Sequence, residues 1–350
     1  MENKWDDYNQ RVELLKSLLP NFEFADTLVD NDGNPVDAWI FFSHVTALIK
    51  NAKLNGVHVS PHVILSLNPV LKASAMPKGK ECLTINLGIP LVANSMPNLI
   101  SLLDNKLDEI DNLAIIEIDK ISSINIEEKI IKEIHEWIVF CCDSLKEKSN
   151  LHFPSFHNKS VYHFTSSIES IVVFHEFGHL LEKYSPEIYQ DRLGFIEDLL
   201  VEWLDANKER VKKHYDLNDD FLLDSNVIKC WSRELDADHI GYGTLFNDPV
   251  REWAGYRKKD IIDCQAAMAL FFFILELLEF SWYTAKGKLE LKRHPPAAVR
   301  KELFVYTLQR LKNVKDYEFL QKYWGAGFVI DIILSRIFQE SINRYLDNPC

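Results

Sequence analysis

The sequence is poor in basic residues relative to acidic ones. It contains 39 Lys and Arg against 52 Asp and Glu, which gives a formal net charge of −13. A protein that binds nucleic acid or an anionic membrane surface requires a basic face, so we expect neither partner. The composition, 47% hydrophobic and 26% charged, is typical of a folded globular protein. A length of 350 residues favours about two domains.

The chain also lacks a cysteine framework. Its six cysteines form no CxxC pair and show no regular spacing, which predicts free thiols in a reducing compartment, and hence a cytoplasmic location. The first ten residues have no basic stretch followed by an apolar core, so we expect no signal peptide. The uncharged stretch Cys264–Leu275 has 12 residues, whereas a membrane span requires about 20. We interpret it as part of a buried core helix.

Hydrophobic periodicity divides the chain into two parts. Short β-branched segments indicate strands at 57–67, 82–92 and 113–121, and two helices are expected at 5–19 and 37–54. After residue 125 the pattern is helical, with helices predicted near 126–147, 166–184, 190–215, 224–241, 261–283, 296–313 and 328–346. The predicted fold class is therefore α+β and mostly helical. A mixed α/β N-terminal region, residues 1–120, would be a sensor or substrate dock, and residues 121–350 would form a helical domain.

One stretch carries a motif with a chemical mechanism. Ser166 and Glu169 match a capping box, which predicts a helix that begins there and ends before Pro186. Residues 175–179 read HEFGH, an HExxH match. Residues four apart leave the same helix face one turn apart, so both imidazoles can bind one metal ion. Glu176 can then take a proton from water. A chain of this composition would contain about 0.06 such matches by chance.

A catalytic zinc needs a third protein ligand and an open fourth position. The best candidate is Glu234, which lies 55 residues after His179. Asp238 lies one helical turn farther on the same face and could accept the outer N–H of a zinc-bound histidine, most naturally His175. The predicted zinc ligands are therefore His175, His179 and Glu234. Asp236 would point away from Glu234 in a regular helix.

Plainer interpretations of these residues stay open at this point. The two histidines could be packed side chains on an apolar helix, and Glu234 could be a solvated acid beside Arg233. His239 is expected near a helix end at Gly241, where a cation suits the helix dipole. No GxSxG, GxxxxGK[ST] or complete GxGxxG is present to suggest other chemistry.

The order of the motifs resembles the gluzincin metallopeptidases, in particular the CAAX-type prenyl-protease family and its soluble relatives. The second motif of that family reads Ser-Arg-x-x-Glu-x-x-Ala-Asp. Here Glu234–Asp238 matches ExxAD, although Ser232 and Arg233 directly precede Glu234. The family's downstream His-Pro segment followed by Arg is similar to 294–300, HPPAAVR. The resemblance covers residues 166–300 through motifs alone.

The resemblance implies a zincin-like peptidase domain that hydrolyses a peptide bond of a protein substrate. It also implies that His294 stabilises the oxyanion and that Arg300 supports the site. The lipid-modified substrates of the membrane members are not carried over, because the chain shows no multiple spans. The soluble pattern looks more like the Lit-type phage-exclusion peptidases, and it is similar to the HExGH peptidases that cleave phage or stress repressors.

Three functions follow from these patterns. The first is a zinc peptidase in which Glu176 is the general base and His294 the second catalytic residue. The second is a regulatory or anti-phage protease that stays latent until a partner protein activates it. The third is a non-enzymatic binding protein with a structural histidine pair, although structural zinc sites usually close all four positions, often with cysteine.

Overall fold

The computed structural model is mostly helical. The residues that it describes are 53–54, 57–58, 62–66, 74–76, 82–86, 96–112, 126–146, 162–180, 186–246, 258–310 and 324–347. The helices are α1 (Pro97–Asn112), α2 (Glu128–Lys146), α3 (Tyr162–Gly178), α4 (Pro186–Tyr215), α5 (Asp219–Leu222), α6 (Ser225–Phe246), α7 (Lys258–Lys286), α8 (Ala297–Arg310) and α9 (Trp324–Asp347). The expectation of a mostly helical protein is therefore confirmed for the described residues.

Five short strands precede α1: β1 (Lys53–Leu54), β2 (Val57–His58), β3 (His62–Ser66), β4 (Ser74–Met76) and β5 (Cys82–Asn86). The strands β1 and β2 pair antiparallel. In a second sheet β5 lies at the centre, parallel to β3 and antiparallel to β4. The predicted strand at 57–67 is thus divided into β2 and β3. The end of the helix predicted at 37–54 is strand β1, and the predictions at 5–19 and 113–121 lie outside the described residues.

The helix that carries HEFGH differs at both ends from its prediction, 166–184. It begins at Tyr162, four residues before the capping-box Ser166, so that box does not mark the start of the helix. It ends at Gly178, because the backbone N–H of Leu180 donates to the carbonyl of Phe177 at 3.0 Å and closes a tighter turn. The second histidine of the motif, His179, is therefore the first residue after the helix.

The apolar helix α7 is the centre of the larger core. It packs against α1, α2, α3, α8 and α9, and Cys264–Ile274 is buried throughout. By length and composition, Asp263–Lys286 could cross a membrane, with a mean hydropathy of 1.6 in its most apolar window, but 67% of that window is buried inside the protein. The prediction of a buried core helix is confirmed for these residues. A second, smaller core joins α4, α6 and α8.

Substitution of Phe272 tests the central place of α7. Phe272 is buried, and its ring centroid lies 5.4 Å from that of Phe271 and 5.6 Å from that of Phe304. Phe272→Ala should lower the free energy of unfolding by about 3–5 kcal/mol, because it leaves a cavity in the core. The matched control Phe195→Ala, at a half-exposed position of α4, should cost less than about 1 kcal/mol. Urea unfolding followed by circular dichroism measures both, and equal losses would contradict this assignment of the core.

Candidate metal centre

Close packing of α3 against α6 brings the two halves of the candidate site together. A methyl group at Gly241 would lie 2.7 Å from the carbonyl oxygen of Ile171 and 3.3 Å from the backbone nitrogen of His175. One at Gly178 would lie 3.1 Å from the Cα of Ala237. The contact at Gly241 is too short for any side chain and the one at Gly178 is tight, so glycine at these positions lets the two backbones approach.

Three side chains converge at this junction with suitable metal-ligand atoms. Nε2 of His175 lies 3.6 Å from Oε2 of Glu234, and Nε2 of His179 lies 3.5 Å from Oε1 of Glu234. One ligand atom from each of the three residues lies within 4.8 Å of the others. A tetrahedral ion with bonds of about 2.1 Å holds neighbouring ligand atoms about 3.4 Å apart. The donor set therefore fits a metal ion, and the described part of the chain contains no second such group.

Glu176 supplies a buried carboxylate beside these ligands. Its Oε1 lies 3.9 Å from Nε2 of His175. Its Oε2 is buried, with no hydrogen-bond partner among the described residues, and buried polar atoms normally have one. Burial raises the pKa of Glu176 to about 7, although the neighbouring His175 opposes the rise. The arrangement leaves an acceptor beside the ligand atoms that a water molecule could satisfy.

Asp238 and Arg300 form a buried ion pair behind His175. Oδ1 of Asp238 lies 2.9 Å from Nδ1 of His175. Arg300 donates to both oxygens of Asp238, from Nε at 3.0 Å and from a terminal nitrogen at 2.5 Å. Asp238 thus lies against the outer nitrogen of the His175 ring, as a charge contact rather than an aligned hydrogen bond, while Nε2 is directed toward Glu234. Burial alone would lower the pKa of His175, but its contacts with Asp238 and Glu234 outweigh burial and raise that pKa to about 10.

The other two candidate ligands, His179 and Glu234, differ in the charge state that their surroundings favour. Burial lowers the pKa of His179 to about 4, so this imidazole is neutral at pH 7, which is the form that binds a metal. Burial would raise the pKa of Glu234, but His179, His175 and His294 outweigh it and hold that pKa well below its usual range. Glu234 is therefore a carboxylate, the form required of a metal ligand.

His294 lies at the mouth of the cluster. Its side chain is 62% exposed, and its Nδ1 lies 3.3 Å from Oε1 of Glu234. A terminal nitrogen of Arg300 also lies 3.8 Å from Oε2 of Glu234. The structure thus brings together all the residues that the sequence nominated: His175, Glu176, His179, Glu234, Asp238, His294 and Arg300. Their catalytic and ligand roles stay predictions.

His239 is placed differently from its prediction. The helix α6 continues to Phe246, so His239 lies within the helix, partly buried and stacked on Phe304, with 4.7 Å between the ring centroids. Burial lowers the pKa of His239 to about 4, and a neutral ring is not the helix-end cation that was expected. Asp236 does point away from Glu234, since its Oδ1 accepts from Arg192 at 2.7 Å and 3.1 Å.

Sequence reasoning missed the glycines that bring α3 and α6 together. A close contact between two helices depends on the residues of both. The sequence around Gly178 or Gly241 does not show which helix the glycine will face. The one available signal is a glycine inside a helical pattern, which costs about 1 kcal/mol relative to alanine and so suggests a packing role.

No protein-family model, no curated protein and no solved structure matches the chain. The interpretation of the cluster therefore depends on its own geometry.

Gly241→Ala should weaken metal binding by at least about tenfold, because the added methyl forces α6 away from His175 and moves Glu234 relative to the two imidazoles. The matched control is Gly243→Ala on the same helix, where an added methyl meets nothing within 4 Å. Zinc affinity measured by competition with a chromophoric chelator compares the two variants. Equal affinities would show that the close approach at Gly241 does not set the ligand geometry.

Proposed function

We propose that the chain is a zinc-dependent peptidase that hydrolyses a peptide bond of a protein or peptide substrate. The observation that carries the proposal is the convergence of His175, His179 and Glu234 beside the buried, unpartnered Oε2 of Glu176. Two imidazoles and one carboxylate, with a fourth position left open, are the donor set of a catalytic zinc site. The order of the motifs, which resembles the gluzincins, supports the same reading.

Each residue then has a defined task. Zinc, when bound, polarises the scissile carbonyl and lowers the pKa of water. His175 and His179 would hold the ion together with Glu234, and Asp238, neutralised by Arg300, would keep the proton of His175 on Nδ1. Oε2 of Glu176 takes a proton from the attacking water and passes it to the leaving amine.

His294 completes the proposed mechanism at the exposed side of the cluster. A ring N–H of His294 donates to the carbonyl oxygen of the substrate as negative charge develops there. Removal of such a donor typically costs about 10²–10³ in turnover. The position of His294 beside Glu234, with 62% of its side chain exposed, supports a role in contact with substrate.

The proposal extends to the rest of the chain. Residues 121–350 would form a zincin-like domain, and residues 1–120 a mixed region that senses a partner or docks the substrate. We place the protein in the cytoplasm, without a nucleic-acid or membrane partner. Activity that appears only with extract of phage-infected cells would indicate a latent defence protease, whereas constant activity on unfolded casein would oppose latency.

Zinc stoichiometry tests the ligand set. Elemental analysis of protein purified without added metal or chelator should give near one zinc per chain. Glu234→Ala should lower the zinc content sharply, because it removes one of three ligands. His214→Ala, on the surface helix α4, is the control and should leave the content unchanged. Near-zero zinc after the metal is added back would support a structural histidine pair and overturn the proposal.

Glu176→Gln separates catalysis from metal binding. Glutamine fills the same space but cannot take a proton, so zinc content should stay near one per chain while hydrolysis falls roughly thousandfold. Glu187→Gln, at an exposed position at the start of α4, is the matched control, and it should leave both zinc content and hydrolysis unchanged. Cleavage of unfolded casein measures the effect. Retention of full activity by Glu176→Gln would refute the role of Glu176.

A further inference from the structure

Two hydrogen bonds, one on each side of His294, restrain the loop that carries it: one is made to the loop itself and the other to the first residue after it. This loop, residues 287–296, connects α7 to α8. The indole Nε1 of Trp231 donates to the carbonyl oxygen of Leu291 at 2.8 Å. The backbone N–H of Ala297 donates to Oε2 of Glu279 at 2.6 Å. Leu291 and Ala297 lie three residues before and three residues after His294.

We propose that Trp231 and Glu279 are positioning residues that hold His294 against the ligand cluster. The inference rests on the proposed function, because it gives His294 a task that requires a fixed place. Packing restrains this side chain little, since 62% of its surface is exposed. A misplacement of about 1 Å can cost about a hundredfold in rate, so the loop backbone must be held from outside.

Trp231 links the loop to the helix that carries Glu234. It is fully buried in α6, three residues before Glu234 and so about one helical turn away. Its ring packs in the smaller core, with its centroid 6.3 Å from that of Phe221, which leaves the indole little freedom. The hydrogen bond to Leu291 therefore fixes the position of the loop relative to α6, the helix that carries Glu234.

Glu279 holds the other side of the loop. Oε2 of its carboxyl group, on α7, accepts from the backbone N–H of the first residue of α8. Only Pro295 and Pro296 separate Ala297 from His294, and the ring of proline fixes φ near −65°. A residue before proline is itself confined to extended conformations. Anchoring Ala297 therefore restricts the backbone of His294 through two stiff residues.

A double-mutant cycle with His294→Ala tests Trp231. Trp231→Phe keeps a buried aromatic ring but removes the donor, and we expect kcat on casein to fall about tenfold, with KM and zinc content unchanged. In the His294→Ala background the same substitution should cause no further fall. Trp203→Phe, which truncates another tryptophan of the same core, should leave kcat unchanged. An equal fall in both backgrounds would overturn the proposal, because Trp231 would then act independently of His294.

Glu279 offers a conservative pair of substitutions. Glu279→Gln keeps an oxygen acceptor for Ala297 and should retain kcat, whereas Glu279→Ala removes it and should lower kcat about tenfold. Rescue by glutamine would show that the hydrogen bond matters rather than the charge. Equal loss in both variants would overturn the role of the hydrogen bond.

A readout that needs no peptidase activity keeps this inference separate from the proposed function. Trypsin cleavage after Lys292 and Arg293, measured by mass spectrometry, reports how freely the loop moves. Trp231→Phe and Glu279→Ala should speed that cleavage at least about threefold relative to Glu279→Gln. Unchanged cleavage would overturn the inference. Faster cleavage in a protein whose unaltered form hydrolyses no peptide, with or without extract of phage-infected cells, would support the two anchors and refute the peptidase instead.

Discussion

The close approach of α3 and α6 is the constraint on which the candidate metal centre depends. The spacing of HEFGH places two imidazoles together, but the third ligand comes from a separate helix. Packed helices usually lie 8–10 Å apart, a distance set by the side chains at their contact. Glycine at 178 and 241 removes those side chains where the helices cross, and Glu234 then lies 3.5–3.6 Å from both imidazoles. Glycine is otherwise unfavourable inside a helix, so the presence of Gly241 within α6 is explained by the contact, whereas Gly178 is the last residue of α3, where glycine is common in any case.

The balance of buried charge provides a second argument for a cation at this place. Three carboxylates, those of Glu176, Glu234 and Asp238, are buried together with one guanidinium, that of Arg300. With both histidines neutral and all three acids ionised, two negative charges are uncompensated. Buried charges are normally paired or coordinate a metal. A divalent ion supplies the missing two charges, and without it the cluster relieves the excess through the raised pKa values of His175 and Glu176.

The features that could be predicted from the sequence are those that repeat periodically or involve residues close together in the chain. The 3.6-residue pattern missed the four-residue helix α5, but it located the long helices after residue 125, because most of them present an apolar stripe to a core. The spacing of four residues related Glu234 to Asp238 for the same reason. Both predicted ends of α3 were wrong: the helix begins four residues before the capping-box Ser166, and a turn hydrogen bond of 3.0 Å, rather than Pro186, marks its end. His239 was misplaced because the partner of its ring, Phe304, lies 65 residues away along the chain.

The hydrogen bonds that anchor the His294 loop could not be predicted from the sequence either, because their partners are far apart along the chain. Trp231 and Leu291 are 60 residues apart, and a buried tryptophan shows no sign in the sequence of where its N–H will donate. The sequence also does not show that Oε2 of Glu176 lacks a hydrogen-bond partner. This atom bears on the choice between a structural and a catalytic cluster. An unsatisfied buried acceptor costs about 1–3 kcal/mol, and a purely structural histidine pair gains nothing from it. A site that must take a proton from water needs such an acceptor, and functional sites are where local rules are broken. Under the proposed peptidase mechanism, the water molecule whose proton Glu176 takes would satisfy this acceptor.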